Sequence, residues 1–413
     1  MRKSIPEKGA SWDVIRSELE SLGKADADWR SARTAVYVFN PGEDVMRVAK
    51  DAYAMYQSEN ALGPLAFPSL KRMEDEVVGM GLSLLHAPEG ASGNMTSGGT
   101  ESILMAVKAC RDQARSQGLD TRDCEIVAPI SAHPAFDKAA HYLDLRVVRV
   151  PVAADLRADV VAMAGAITER TLMLVGSAPC FPYGLIDPIE RLDTLARERG
   201  VWLHVDACVG GYFAPFARMN GVDVPAFDFE LEGVRSMSAD LHKYGYAAKG
   251  ASTVLHRSEE QRAHQVFDFE GWPSGHMQTP TLAGTRPGGA IASAWAVMHY
   301  LGVDGYREKA RLVTETRELL TRGVEALGLH VQGDPKLALV AYGSDDVDMR
   351  AVYGQLFRKG WFTGFNTEPP SIHLMISPAH REVIDSYLDD LRSALEHVRE
   401  TGATGEGVET RYS

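Results

Sequence analysis

The chain has 413 residues, 45% apolar and 24% charged, enough to bury a sizeable core in one large domain with a smaller one beside it. Its 43 Lys and Arg against 56 Asp and Glu leave a formal charge of −13, which argues against a nucleic-acid or anionic-membrane binder, so an anionic ligand needs a local basic site. The four cysteines, Cys110, Cys124, Cys180 and Cys208, are scattered without metal-ligand spacing; neither a metal site nor a disulfide framework is expected, and reduced thiols in a cytoplasmic protein fit better.

In chain order, turn signals and helical spacing predict helices over 11–22 and 43–57, separated by a Pro41-Gly42 turn, which makes residues 1–60 an arm rather than a domain. Arg2 and Lys3 are followed by no apolar core, so a secretory signal is not expected, and no run approaches the length of a membrane span. Leu70, Met73, Val77 and Leu84 recur at helical spacing, and a Pro-Glu-Gly-Ala-Ser-Gly loop at 88–93 ends that helix. From 94 to 260, short apolar strands at 125–128, 146–150, 171–175 and 201–205 alternate with helical stretches. That alternation marks an α/β fold with a mostly parallel central sheet flanked by helices. Further helices are expected at 289–302, 305–327, 346–359 and 380–399, and strands at 337–341 and 372–376. The division that follows is a large domain over 61–304, a small C-terminal α/β domain over 305–400 and a loose, glycine-rich tail over 401–413.

Chemistry gathers at a few points of this order. The run Asn94-Met-Thr-Ser-Gly-Gly-Thr-Glu-Ser precedes a helix predicted over 102–116. Free backbone N–H groups, the helix dipole and the Ser97 and Thr100 hydroxyls would converge there on a phosphate, although a plain capping loop reads the same way. His133 follows a strand end at the sheet's C-terminal edge. It could stack on a planar ring, handle a proton or merely cap a helix. Asp206 ends another strand at the same edge, where ligands of open α/β sheets bind. A carboxylate there needs a cationic partner; the protonated ring nitrogen of pyridoxal phosphate would be one, and a structural hydrogen-bond donor is the plainer alternative. Lys243 lies on the turn between apolar runs at 234–237 and 253–255, next to His242 and small residues. Crowding and low polarity favour a neutral, nucleophilic amine suited to a Schiff base, against the reading of a surface lysine. Each point has a structural explanation by itself. The joint order of anion loop, histidine, aspartate and, 37 residues later, lysine does not easily arise by accident.

Thr96-Ser-Gly-Gly-Thr-Glu-Ser, Ser131-Ala-His-Pro-Ala-Phe, His204-Val-Asp-Ala-Cys-Val-Gly-Gly, Ser238-Ala-Asp-Leu-His-Lys-Tyr-Gly-Tyr-Ala-Ala-Lys-Gly and Thr281-Leu-Ala-Gly-Thr-Arg-Pro-Gly-Gly together resemble the fold type I pyridoxal-phosphate enzymes of the group II decarboxylase branch, over roughly residues 45–380. The last two stretches separate the carbon–carbon lyases of that branch from its ordinary amino-acid decarboxylases. The resemblance implies a pyridoxal 5′-phosphate enzyme that cleaves a phosphorylated long-chain amino alcohol to a fatty aldehyde and phosphoethanolamine by retro-aldol chemistry. An L-amino-acid decarboxylase is the alternative, and a cofactor-binding interaction protein without catalysis is a third reading. By the same resemblance Lys243 carries the cofactor as a Schiff base, Asp206 holds its ring nitrogen and His133 stacks on the ring. Ser97, Gly98, Gly99, Thr100 and His242 would hold its phosphate, with Gly284 and Thr285 reaching in from the partner of a homodimer that shares its active sites. Lys249, Tyr56 and His86 fall where the family binds the substrate phosphate, and Lys243, His242 and Tyr246 are the candidates for the general base. One departure bears on the substrate: where the family reads Asn-Pro-Leu-His-Pro, this chain has Asn60-Ala-Leu-Gly-Pro64. The membrane-spanning segment of the eukaryotic relatives has no counterpart in the sequence, so a soluble, cytoplasmic protein is expected.

Overall fold

The structure, a computed structural model, describes residues 4–410; residues 1–3 of the predicted arm, with Arg2 and Lys3, and 411–413 of the predicted tail lie outside them. The chain begins with α1 (Trp12–Leu22), α2 (Glu43–Met55) and α3 (Pro68–Leu84). There follow β1 (Ser92–Thr96), α4 (Gly99–Ser116), β2 (Glu125–Pro129), α5 (Ala135–Tyr142), β3 (Arg146–Val150), α6 (Val160–Ala166), β4 (Thr171–Ser177), α7 (Ile189–Arg199), β5 (Trp202–Asp206), α8 (Ala214–Met219), β6 (Val234–Ala239) and β7 (Ser252–His256).

These strands form one seven-stranded sheet in the order β1-β7-β6-β5-β4-β2-β3. The run from β6 to β3 is parallel throughout, and β7 lies antiparallel to both β1 and β6. The mostly parallel α/β sheet expected from the alternating pattern is therefore present. Its central strands are mostly apolar, as strands covered by helices on both sides must be, apart from His204, Ser236 and Ser238 buried on one face of β5 and β6. Ile126, Met173 and Val175 meet Ile103, Val107 and Phe136 of α4 and α5 on one face. On the other, Leu174, Leu203 and Val205 join Leu192, Phe213 and Tyr244. Register aligns Ser177, Asp206 and Ser238 at the C-terminal ends of β4, β5 and β6.

The remainder comprises α9 (Glu259–Ala263), the hairpin β8 (Phe267–Phe269) and β9 (Met277–Thr279), α10 (Gly288–Ala326), β10 (His330–Val331), β11 (Leu339–Gly343), α11 (Met349–Arg358), β12 (Gly364–Thr367), β13 (Pro370–Met375) and α12 (Ile384–Thr401). β10-β11-β13-β12 make a separate antiparallel sheet. The two helices expected at 289–302 and 305–327 are both present within α10, divided at Gly302, whose φ of 54° and ψ of −173° break the helical backbone. In the glycine-rich tail, the Gly405 N–H donates to Asp348 Oδ2 at 2.9 Å, at the start of α11. Among the described residues no helix is long and apolar enough to cross a membrane.

Candidate active site

The connection from β6 to β7 folds back on itself before Gly250, whose φ of 95° suits a residue without a Cβ. Within it the His242 N–H donates to the Ala251 carbonyl at 2.9 Å and the Lys243 N–H to the Asp240 carbonyl at 3.2 Å. That turn brings Lys243 Nζ to 3.0 Å from Asp240 Oδ2, with His242 Nε2 3.6 Å from the same oxygen. Burial alone would push the Lys243 ammonium down, but Asp240 above all, helped by Asp206, outweighs it and holds the group above its ordinary value. The neutral amine expected from the sequence is thereby corrected: crowding was counted there, and the carboxylate three residues earlier was not. Burial pushes His242 down to about 4, so it is neutral at pH 7.

Facing this turn is the N-terminus of α4. The helix starts at Gly99, earlier than the predicted residue 102, so the backbone N–H groups of Gly99 and Thr100 belong to its open first turn. A Cβ at Gly99 would stand 2.7 Å from the Cys208 sulfur and 2.9 Å from Asp240 Oδ2, an approach that only glycine allows. Glu101 shapes the loop before it. One of its oxygens accepts from the Ser97 N–H and Oγ at 2.7 and 2.5 Å, and the other from the Leu282 N–H at 3.0 Å. The Ser97 hydroxyl, expected to converge on a phosphate, is thus engaged with Glu101.

Asp206 Oδ1 accepts from the Cys208 N–H at 3.1 Å and from Ser238 Oγ at 3.3 Å. The His133 ring is pinned by the Ala135 N–H, which donates to Nδ1 at 3.1 Å, and burial lowers its proton affinity. Lys249 Nζ donates to the His242 carbonyl at 3.2 Å and sits 5.0 Å over the Phe39 ring. Solvent reaches this side chain, yet the protein packed round it, together with the Lys243 charge, pushes its ammonium down to about 8.

All of these groups line one cavity of about 580 Å³: Ser97, Gly98, Gly99, Thr100, His133, Asp206, His242, Lys243 and Lys249. Tyr37, Phe39, Pro179, Phe181, Cys208, Asp240 and Met375 are also part of its wall. The aromatic members carry no pattern that sequence reasoning could use, whereas Asp240 was legible as an acid three residues before a candidate lysine. A second cavity of about 470 Å³ shares Tyr37, His133 and Phe181 with the first and continues past Ile130, Tyr353, Phe362 and Phe365.

The remaining candidates lie elsewhere in the chain. Tyr56 follows the end of α2, and His86 Nδ1 pairs with Asp228 Oδ2 at 2.9 Å, so neither lines the cavity of its own chain. Gly284 and Thr285 do not line it either. Tyr246 stacks on Tyr306, with ring centroids 6.2 Å apart, and lines not this cavity but one of about 570 Å³ that shares Phe39, His242 and Lys249 with it.

The residues present fit pyridoxal phosphate. Asp240 Oδ1 and His242 Nδ1 are buried without a hydrogen-bond partner beside the cavity, as expected where a polar group belongs. The open helix end suits a phosphate, Asp206 suits a cationic ring nitrogen, and the Lys243 amine suits an aldehyde carbon.

A family model described as the pyridoxal-dependent decarboxylase conserved domain matches residues 1–343. The sphingosine-1-phosphate lyase of Oryza sativa subsp. japonica is 42% identical over 407 residues, covering 97% of this chain and 75% of that protein. That of Arabidopsis thaliana is 43% identical over 403 residues, covering 96% and 74%. Among solved structures, the Burkholderia pseudomallei sphingosine-1-phosphate lyase superposes with a TM-score of 0.93 at 36% identity, over 97% of this chain and 94% of that one.

Proposed function

The chain belongs to the pyridoxal-dependent decarboxylase family, and from that premise we propose that it cleaves sphingosine-1-phosphate, or a close phosphorylated long-chain amino alcohol, to a long-chain aldehyde and phosphoethanolamine. It is a pyridoxal-phosphate-dependent lyase. The observation that carries this reading is that the open end of α4 and, across the Lys243 turn, the Lys249 side chain line one cavity. The first serves the cofactor phosphate and the second the substrate phosphate, which an amino-acid decarboxylase would not need.

Bound at Lys243, the cofactor supplies a sink for the electrons of the breaking Cα–Cβ bond. Asp206 would hold the ring nitrogen, His133 would stack on the ring, and Gly98, Gly99, Thr100 and His242 would hold the phosphate. A Cβ on Gly98 would stand 3.5 Å from His242 Cε1, which supports a role for His242 at the phosphate loop. Lys243 would then take the 3-hydroxyl proton at Nζ and return a proton to Cα, with Asp240 stabilising the ammonium between the two steps. The alkyl chain lies along the second cavity, past Phe181 and Phe365. The large unit over 61–304 carries the cofactor, and the small unit over 305–400 supplies Met375 to the wall. The enzyme is a homodimer in which Gly284 and Thr285 of one chain reach the site of the other. Four buried, unpaired thiols suit work in the reducing cytoplasm.

The test is to incubate the cofactor-loaded protein with sphingosine-1-phosphate and to look by mass spectrometry for both products. Both are expected. Their absence from a protein that binds the cofactor normally, with carbon dioxide released from an amino acid instead, would overturn the lyase reading in favour of a decarboxylase.

A further inference from the structure

Behind Asp206 runs a buried row of hydrogen bonds to which none of the roles above is assigned. Trp202 Nε1 donates to Ser236 Oγ at 2.7 Å, and Ser236 Oγ lies 2.8 Å from His204 Nδ1. His204 Nε2 lies 3.3 Å from Ser238 Oγ, which donates to Asp206 Oδ1 at 3.3 Å. The row follows from strand geometry. Alternate residues of a strand share a face, so Trp202, His204 and Asp206 stand in line on β5, and register sets Ser236 and Ser238 of β6 beside His204 and Asp206.

The two ends determine where each hydrogen lies. An indole N–H only donates, so Ser236 accepts from Trp202 and has its own hydrogen to give to His204 Nδ1. A carboxylate only accepts, so Ser238 gives its hydrogen to Asp206 and must receive one from His204 Nε2. A neutral imidazole has a single N–H, and both demands place it on Nε2. Burial pushes His204 down to about 4, which keeps the ring neutral at pH 7. Every hydrogen in the row therefore points toward Asp206, an arrangement in which successive bonds polarise one another.

We propose that His204 and Ser238 are positioning residues for Asp206, pinning it through Oδ1 so that Oδ2 is presented to the ring nitrogen of the cofactor. The inference rests on the reading of Asp206 as that nitrogen's partner. Oδ1 receives the Cys208 N–H as well as Ser238, which leaves Oδ2 for the cavity that Asp206 lines. The other titratable groups facing Asp206 are Lys243, His133 and Cys208, and His204 is also faced by His256.

The experiment loads the full-length protein with pyridoxal phosphate labelled with nitrogen-15 in the ring and reads the ring-nitrogen resonance, the melting temperature and kcat. In Ser238→Ala the cofactor stays bound and melting stays near wild type, the resonance moves toward its unprotonated position, and kcat falls about tenfold, the scale on which residues behind a ligand act. Ser238→Thr, which keeps the hydroxyl, restores both. Ser236→Ala frees the His204 hydrogen to move to Nδ1 and shifts the resonance the same way by less, so it decides the matter if Ser238→Ala does not fold. A resonance at its wild-type position in the alanine variants would overturn the inference whatever kcat does, since the row would then be core packing alone. Failure to cleave sphingosine-1-phosphate would sink the lyase reading only, because the ring-nitrogen signal needs bound cofactor and not turnover.

Discussion

Asp240 sets what Lys243 can do. It is buried, and Lys243 and His242 hold its carboxyl below the usual carboxylate range against the opposing push of burial. Lys243→Ala therefore has two separable effects. It removes the cofactor's attachment point, so the visible absorbance of the bound cofactor disappears and turnover falls by about 1,000-fold or more, the scale of a lost proton-transfer group. It also strips a buried carboxylate of its counter-ion, lowering stability by about 3–5 kcal/mol. Lys243→Arg keeps the charge and loses only the chemistry, so a spectrum and a thermal melt of both variants tell the effects apart. Lys249 makes a pH prediction. Its ammonium is pushed down to about 8, below the usual lysine value, so the free enzyme loses that positive charge as pH rises through 8. A phosphomonoester carries its second charge above pH ~6 and keeps it. The value of kcat/KM for a phosphorylated substrate should accordingly fall as pH rises through about 8, and Lys249→Arg should extend the plateau to higher pH. Lys249→Met should raise KM about 10- to 100-fold at neutral pH, the scale of a charge-assisted hydrogen bond. A KM unchanged in Lys249→Met would remove Lys249 from the phosphate site.

At the scale of elements, the segment from Thr281 to Pro287 has no regular structure of its own and is held by two buried acids. Glu74 of α3 pairs in a fork with both terminal nitrogens of Arg286, at 2.6 and 2.9 Å, and Arg286 also donates to the Met95 carbonyl at 3.1 Å. Glu101 holds the Leu282 N–H with one oxygen and Ser97 with the other, tying this loop to the anion loop of the same chain. Arg286→Met leaves the Glu74 charge buried and unpaired, and urea unfolding should show a loss of about 3–5 kcal/mol, part of which Glu74→Leu in the same chain recovers. An additive double variant would show that the pair is not coupled. This clamp was invisible in the sequence because its partners are 212 residues apart. The alternating strands were legible because each is apolar over a short run between turns, and the glycines and lysine of the site because close approach and a turn demand those residue types. Tyr37 and Phe39 were not, since they come from an irregular stretch that the fold brings to the cavity from outside the sheet. His86 was placed by resemblance alone; in this chain its ring is bonded to Asp228 and it does not line the cavity.

For the whole molecule the question is where that clamped loop points. Gly284 and Thr285 do not line the cavity of their own chain, and several exposed apolar side chains precede or flank them in sequence. Leu282 is 66% exposed and Trp272 52%, with Phe267 and Phe269 of the neighbouring hairpin exposed as well. Exposed apolar residues gathered in this way mark a contact surface. The divergent segment Asn60-Ala-Leu-Gly-Pro64 belongs to it too: the Ala61 N–H donates to the Arg286 carbonyl at 3.0 Å, and Asn60 bridges to Pro287. If this surface serves a second copy, the substitutions at 61 and 63 alter the partner's substrate pocket rather than the chain's own. Complementation decides it. A Cβ on Gly284 would meet nothing closer than Leu62 at 3.7 Å, so Gly284→Trp is tolerated by its own fold and obstructs only what lies opposite. Lys243→Ala and Gly284→Trp should each be inactive as pure proteins. Unfolded together in equal amounts and refolded, half of the dimers are mixed, and each mixed dimer has one site with both an intact Lys243 and an intact loop, so about a quarter of wild-type activity should return. If the loop served its own chain, every site in the mixture would remain broken and no activity would return.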